Sequence, residues 1–267
     1  MTAADSPLAR QYATSANLEA RQRIYRFRTE DQPWFPWVFD RLDLPPHARV
    51  LEVGCGNGKL WQENLGRIPP GWEVVLTDRS SGMLAEAARL PGEQRDRFRF
   101  GVMDIRRIAF GDETFDAIIA NHMLYHVPER DAALAEVRRA LKVGGRFFAA
   151  ANAAAHLGGI KELMNEFAPP ADERTDAFGL PRHAFTLDGG ADELRRHFDD
   201  VSIHRLRGEL AITDPQAIVE YILSIDRARE VVTGARLTEL RERVSREIEA
   251  RGAYVVATEL GILQATR

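Results

Sequence analysis

Three glycines alternate through Val53-Gly54-Cys55-Gly56-Asn57-Gly58, directly after the short run Val50-Leu51-Glu52. A brief apolar run of this kind reads as a buried strand. Glycines at alternate positions let the chain bend sharply and bring bare backbone against a ligand. In a parallel α/β sheet, ligands gather beyond the carboxyl ends of the strands, where the following helix offers backbone donors. The segment is therefore a candidate cofactor floor. A dinucleotide fingerprint would place a further glycine at position 59, which is Lys59 in this chain. Glu52 would also repel phosphates in a partly dehydrated site, whereas it suits a cation or a zwitterion.

Two carboxylates recur at the ends of the next predicted strands. Asp78 follows Val74–Thr77, at a distance from Gly54 that accommodates one helix and a return strand. From there it can accept hydrogen bonds from both hydroxyls of a ribose. Asp104 follows Phe98–Val102, where it can accept from an exocyclic amine while Ile105 packs against the base. Taken alone, each aspartate reads as a cap or a surface residue. Their repetition at successive strand ends favours a cofactor role.

The elements that must position these groups alternate in type. Strands are expected at Arg49–Glu52, Val74–Thr77, Phe98–Val102, Phe115–Ala120 and Arg146–Ala150, the last opening after Gly144 and Gly145. Helices are expected near Lys59–Leu65, after a cap at Ser80 or Ser81, and along the face carrying Leu134, Val137 and Leu141. This alternation predicts a mostly parallel sheet covered on both faces. The stretch from Ala9 to Arg28 is helix-permissive, and helices are expected on both sides of Pro33. Residues 151–190 are irregular, with Pro169, Pro170 and Pro181, and are too long for a bare loop, so a helix is expected over Gly159–Phe167. A helix over Asp192–Phe198, a strand over Val201–Leu206, helical stripes through Ala217–Ile225 and Leu237–Ile248, and a closing strand over Tyr254–Ala265, irregular near Gly261, complete the reading.

Composition narrows the function classes. With 45% hydrophobic and 28% charged residues, the 267-residue chain is globular in type. Its net charge of −4 supplies no overall attraction for a polyanion, so no nucleic-acid partner is expected. Cys55 is the only cysteine, which excludes an intrachain disulfide and a cysteine-based metal cluster. No other metal-ligand spacing stands out, so no metal is expected. No signal core and no apolar run near the roughly 20 residues of a membrane span are evident, and a cytoplasmic location is expected.

At this point the sequence resembles the class I S-adenosylmethionine-dependent methyltransferases, particularly the small-molecule branch that includes quinone-biosynthesis enzymes. The matching stretches are LEVGCGNGKLW (51–61), VVLTDRSSGMLAEA (74–87), GVMDI (101–105) and FDAIIANHMLYHVPERDAALAEVRRALKVGGRF (115–147). The resemblance implies a Rossmann-like, seven-stranded mixed sheet whose last strand is antiparallel. It also implies an N-terminal helical lid (1–45), a cofactor-binding half (46–150), a cap or substrate-side insertion (151–190), and a completing segment (191–267) with a helical insertion between the last two strands. The cofactor would be S-adenosyl-L-methionine. Glu52, Gly54 and Gly56 would surround its methionine portion, with Cys55 packed in the turn. Asp78 would hold the ribose, Arg79 the adenine rim, and Asp104 with Ile105 its other side. Met83, on the helix after Asp78, is placed with the cofactor group, and Asn121 lies near the amino-acid end.

The implied chemistry is direct displacement onto a small molecule. The sulfonium already activates the methyl group, so the protein has mainly to align the acceptor and exclude water. A base is needed only for an acceptor that must lose a proton, and His122 is the candidate catalytic residue, with a polar-wall role as the plain alternative. His126 reads as packing. Tyr12 is expected to close over the cofactor, while Tyr25, His156, His183 and again His122 are candidate acceptor contacts. O-methylation of an aromatic or hydroxylated metabolite is favoured over N- or C-methylation. Rival readings are a nucleic-acid methyltransferase, a NAD-dependent oxidoreductase, and an inactive cofactor-binding sensor. The first lacks an Asn/Asp-Pro-Pro-aromatic motif and a Pro-Cys pair, and the second is opposed by Lys59 and Glu52. Oligomeric state is not legible.

Overall fold

The computed structural model describes residues 16–89, 96–181 and 183–267. Between short 3-10 turns the chain forms α1 (Ala16–Arg23), α2 (Trp34–Phe39), β1 (Arg49–Val53), α3 (Lys59–Gln62), β2 (Glu73–Asp78), α4 (Ser81–Ala87), β3 (Phe98–Val102) and β4 (Phe115–Asn121). It continues with α5 (Arg130–Ala140), β5 (Leu141–Asn152), α6 (Gly158–Phe167), α7 (Leu187–Arg195), β6 (Asp200–Ile212), α8 (Pro215–Leu223), α9 (Asp226–Val231), α10 (Gly234–Arg251) and β7 (Tyr254–Thr266).

The strands form one seven-stranded sheet in the order β3-β2-β1-β4-β5-β7-β6. The pairs β1–β2, β1–β4, β2–β3 and β4–β5 are parallel, and β5–β7 is antiparallel. This is the Rossmann-like mixed sheet with flanking helices that the alternating elements predict. From β1 the chain steps outward through β2 and β3, then returns to place β4 on the other side of β1. That reversal opens a crevice at the carboxyl ends of β1 and β4, the place where open α/β sheets bind ligands. Val50 pairs with both Val74 and Ala117, and Glu52 with both Leu76 and Ile119, so β1 is central. Its four residues from Val50 to Val53 are all buried, as a strand covered on both faces requires.

The chain divides into two compact units. One comprises residues 32–154, 185–205 and 260–267. Its core packs Leu51, Val53, Ile118 and Phe147 with the α5 stripe Ala133, Leu134, Val137 and Ala140, a 3.6-residue periodicity that places those side chains on one face. The other unit comprises, among the described residues, 16–31, 155–184 and 206–259 apart from the single residue 182. In it Ile160 and Met164 of α6, Ile218 and Ile222 of α8, and Leu240 and Val244 of α10 share an apolar core. Pro215 opens α8 and the Asp214 side chain accepts from Gln216 N–H, so a free amide of the first turn is capped. The boundary between the units falls within β6 and β7.

Several elements depart from the sequence expectation: β6 runs on past Leu206 to Ile212, and α3 ends at Gln62 short of Leu65. β5 begins at Leu141 rather than Arg146: Phe115 pairs with Leu141 and Ala117 with Arg146, so residues 142–145 are looped out of register. Gly144 takes φ +74° there, and a Cβ on Gly145 would stand 2.8 Å from the Lys142 carbonyl oxygen. The helix expected over Asp192–Phe198 starts at Leu187, because the Thr186 hydroxyl accepts from Gly189 N–H and caps it. β7 runs unbroken through Gly261, which pairs with Ala151. A Cβ on Gly261 would meet the His204 carbonyl oxygen at 2.2 Å, so this glycine permits close strand approach instead of a kink. Among the described residues no helix is long and apolar enough to cross a membrane.

Candidate functional site

At the carboxyl end of β1, Gly54, Gly56 and Gly58 take φ of +68°, +56° and +76°, left-handed values that cost an L side chain energy. Cys55 N–H donates to the Thr77 carbonyl at 2.9 Å, and Gly58 N–H to the Cys55 carbonyl at 3.0 Å. The turn is thus tied to the neighbouring strand and to itself. Gly54 is constrained twice over, since a Cβ there would lie 2.8 Å from Met123 Cγ.

Asp78, the last residue of β2, reaches across to this turn. Its Oδ2 accepts from Gly56 N–H at 2.9 Å and its Oδ1 from Ser80 N–H at 2.8 Å. Burial pushes its pKa up, and the backbone N–H groups of Ser80, Gly56 and Arg79 act against that rise. A carboxylate has about four acceptor positions, and these amides leave part of that capacity for a diol. Ser80 in turn caps α4 by accepting from Met83 N–H at 3.2 Å, and the Met83 side chain is buried.

Glu52 sits beneath the turn, only 1% exposed. Its Oε2 accepts from Trp61 Nε1–H at 2.6 Å, and its carbonyl accepts from the Thr77 hydroxyl. Burial raises the carboxyl pKa to about 8, against the lowering by the Trp61 hydrogen bond. At neutral pH the group is therefore largely a neutral acid.

Cys55 is buried as well, and burial, with the Glu52 and Asp78 charges, drives its thiol pKa well above the ordinary value. Such a thiol forms almost no thiolate, the reactive species. A disulfide reagent such as 5,5′-dithiobis(2-nitrobenzoate) is expected to leave native protein essentially unmodified and to titrate one thiol per chain after denaturation. Rapid stoichiometric labelling of the native state would contradict this placement.

Beyond β3, Asp104 is held by Arg106. Asp104 Oδ1 accepts from Arg106 N–H and Nε–H, both at 3.0 Å, and Oδ2 accepts from Nη2 at 2.7 Å. Arg79, half-exposed, lies 3.6 Å from the same carboxylate. The side-chain bond from Arg106 leads the causes that keep the Asp104 pKa low, so the group is an ionised acceptor at neutral pH. Ile105 is buried in the core beside it.

Across the crevice, β4 ends at Asn121, whose Oδ1 is buried and has no hydrogen-bond partner. His122 follows with φ +53°, a conformation rare outside glycine and several-fold enriched in histidine. Its N–H donates to the Ala150 carbonyl at 3.2 Å. The ring keeps part of its surface open, but surrounding protein strips its solvation and lowers its pKa to about 4. The next residue, Met123, is the one that lies against Gly54, so the β1 and β4 ends meet.

Sequence reasoning gives Trp34, Trp37 and Trp61 no role in the site. In the structure Trp34 stacks on Trp37, ring centroids 5.3 Å apart, and leans on His122 at 5.0 Å. Trp34 Nε1 is buried without a partner. Only the crowding of aromatics around Pro33 and Pro36 hinted at this wall. For Trp61 the clue was its place in the helix after the turn, which folds it back onto Glu52.

The remaining candidates fall in the other unit or outside the described residues. Tyr25 and His156 are brought together at 2.8 Å. Glu259 N–H donates to His156 Nδ1, which leaves the proton on Nε2 and makes the Tyr25 hydroxyl its acceptor. His183 is exposed in a turn. His126 contacts the Tyr125 ring edge-on in the first unit. Tyr12 lies outside the described residues.

Residues 51–149, which contain the glycine turn, Asp78, Asp104 and Asn121–His122, match the family model described as a methyltransferase domain. Through this stretch the chain is related to the class I S-adenosylmethionine-dependent methyltransferases. Within that family it is similar to the ubiquinone/menaquinone biosynthesis C-methyltransferase of Bordetella avium, 32% identical over 42% of this chain and 44% of that protein. It is also similar to the trans-aconitate 2-methyltransferase of Variovorax paradoxus, 37% identical over 48% of each. The matched stretch is thus under half the length of these curated methyltransferases. In fold, the phosphoethanolamine N-methyltransferase 2 of Haemonchus contortus, solved with S-adenosyl-L-methionine, superposes with a TM-score of 0.57 at 15% identity. That match covers 99% of this chain and 59% of the Haemonchus protein.

Proposed function

We propose that this methyltransferase binds S-adenosyl-L-methionine at the β1–β4 crevice and transfers its methyl group to a small-molecule acceptor by direct displacement. The observation that carries this reading is the left-handed glycine turn held by Asp78 at the point where the strand order reverses. The residues fit the cofactor. Bare backbone at Gly54 and Gly56 leaves room for the methionine portion, and Asp78 keeps part of its acceptor capacity for the ribose hydroxyls. Ionised Asp104 suits an amine donor on the base, with Arg79 at the rim, Ile105 and Met83 giving apolar backing, and Cys55 packing inside the turn. Asn121 Oδ1 lacks a donor, and an ammonium group would supply one. The protein names of the relatives support the methyl-donor assignment and differ in their acceptors.

When bound, the cofactor supplies a methyl group already activated by its sulfonium. The chain's own task is to orient the acceptor and to exclude water. His122 bears on which acceptor is served. With a pKa of about 4 it is neutral at pH 7 and can accept a hydrogen bond from a hydroxyl. It is too weak to strip a free phenol of pKa about 10, a step that would be uphill by roughly 8 kcal/mol. His122 therefore holds a hydroxyl in line. It would take up the hydroxyl proton only as the carbon–oxygen bond forms and the carbon–sulfur bond breaks, passing the proton on to solvent afterwards. The stacked Trp34 and Trp37 beside it favour a flat aromatic acceptor, and we assign O-methylation on that basis. Tyr25 and His156 act as one hydrogen-bonded pair within the other unit.

The test is calorimetric binding of S-adenosylhomocysteine and of NADH, followed by transfer of isotope-labelled methyl to a panel of phenols, amines, stabilised carbanions and tRNA. Micromolar binding of the adenosyl ligand, none of NADH, and label on phenolic oxygen are expected. Tight NADH binding alone would overturn the cofactor, and label confined to nitrogen, carbon or nucleic acid would overturn the acceptor class.

A further inference from the structure

A buried N–H without a partner costs on the order of 1–3 kcal/mol, so native proteins rarely tolerate one except where a ligand completes it. Trp34 Nε1 is such a group: the residue is 9% exposed, the atom is buried, and among the described residues none accepts its proton. Its surroundings locate it. Trp34 leans on His122, and the next residue, Met123, is in contact range of Gly54, so the indole stands by the end of β4 that meets the glycine turn. Trp34 stacks on Trp37, and the Arg41 guanidinium lies over the Trp37 ring, 3.5 Å from its centroid. The wall thus combines an unspent donor with a cation over the neighbouring ring. Its other members, Asn121 and neutral His122, contribute no opposing negative charge.

We propose that Trp34 is a ligand-binding residue whose indole N–H donates to the carboxylate of the methyl donor's amino-acid end. This rests on the adenosyl-cofactor reading above. The carboxylate accepts this open donor, and Arg41, through Trp37, biases the wall toward an anion. The adjacent Asn121 Oδ1 is the matching open acceptor, suited to the ammonium of the same zwitterion. Trp34 therefore reads out the amino-acid portion and is indifferent to the nucleoside.

Two probes separate those portions: S-adenosylhomocysteine carries the amino acid, and 5′-methylthioadenosine lacks it. In protein with 15N-labelled tryptophan, the Trp34 indole resonance, assigned by its loss in Trp34→Phe, is expected to move downfield and gain exchange protection with S-adenosylhomocysteine. It should hold nearly still with 5′-methylthioadenosine. Trp34→Phe keeps an aromatic ring at the position but removes the donor and part of the indole's bulk, and the probe lacking the amino acid controls for the lost packing. S-adenosylhomocysteine affinity should therefore fall about tenfold, the scale of a hydrogen bond to a charged group, while 5′-methylthioadenosine affinity stays within twofold. A Trp34 resonance unmoved by saturating S-adenosylhomocysteine, or equal weakening of both probes, overturns the assignment. Failure of the unsubstituted protein to bind S-adenosylhomocysteine at all would instead remove the cofactor reading beneath it. Should Trp34→Phe fold poorly, the Trp34 resonance is assigned instead by its through-space contacts to the Trp37 and His122 rings, and its shift in the unsubstituted protein decides the matter.

Discussion

Asp78→Ala is expected to weaken S-adenosylhomocysteine binding at least 100-fold, and to do so by two routes at once. The direct route is loss of the ribose acceptor: two hydroxyls donating to a carboxylate are each worth roughly 1.5–3 kcal/mol, and about 3 kcal/mol already exceeds 100-fold. The indirect route is loss of the turn. Gly56 N–H and Ser80 N–H both end on this carboxylate, so alanine strands two amides where little water reaches. Asp78→Asn separates the routes. It keeps one carbonyl acceptor in the same volume but presents an NH2 group to one of the two amides, so an intermediate loss of affinity is expected. Calorimetry with S-adenosylhomocysteine measures the binding, and circular dichroism melting confirms that each variant is folded. Binding of the folded alanine variant within threefold of the unsubstituted protein would remove Asp78 from the site.

Asp78 is legible because it is defined by local order: a short apolar run ends, and the next polar residue stands at the rim of the sheet. Asn121 comes only from the family resemblance, whereas the same rule exposes Asp104. What it could not supply was the set of contacts made after the chain folds back. The Glu52 side chain was read as facing the ligand, a reading derived from the strand end alone. Its hydrogen bond to Trp61 depends on the trajectory of α3, and no periodicity reports that. Arg106 escaped for a related reason. A basic residue two positions after an aspartate is ordinary in a sequence, and only the bend after β3 folds the guanidinium onto Asp104.

The helical half of the chain shows the opposite balance. The apolar stripes of α8 and α10 were plain, since burial of one face imposes a 3.6-residue repeat. The start of α7 was missed because Thr186 acts through a single hydroxyl-to-amide bond, which leaves no trace in hydrophobicity. His122 and Trp34 combine both difficulties. Each is polar chemistry carried on an aromatic body, and the same residue types serve equally as packing. The open Nε1 and the low imidazole pKa are properties of the enclosure, absent from any list of side chains.

The same enclosure makes Glu52 a gauge of folding. Its pKa of about 8 in the folded chain stands far above the ordinary carboxyl value of 4.5 that holds once the chain unfolds. Between those two values the folded state retains a proton that the unfolded state has released. Stability must then fall as pH rises through that window, by up to about 1.4 kcal/mol per pH unit, with no contribution below the lower value and a constant deficit above the upper one. Glu52→Gln keeps the shape and an oxygen for the Trp61 indole but has no proton to lose. The stability difference between Glu52→Gln and the unsubstituted protein, measured by urea unfolding from pH 5 to pH 9, is therefore expected to grow steadily in favour of glutamine and to level off above pH 8. Taking the difference cancels the titration of distant groups, leaving Asp78, whose charge raises the Glu52 pKa further, as the coupled neighbour. A difference that stays flat across the whole range would mean that Glu52 ionises as an ordinary carboxylate. It would then be solvated or paired with a cation, and the sealed floor beneath the glycine turn would not exist.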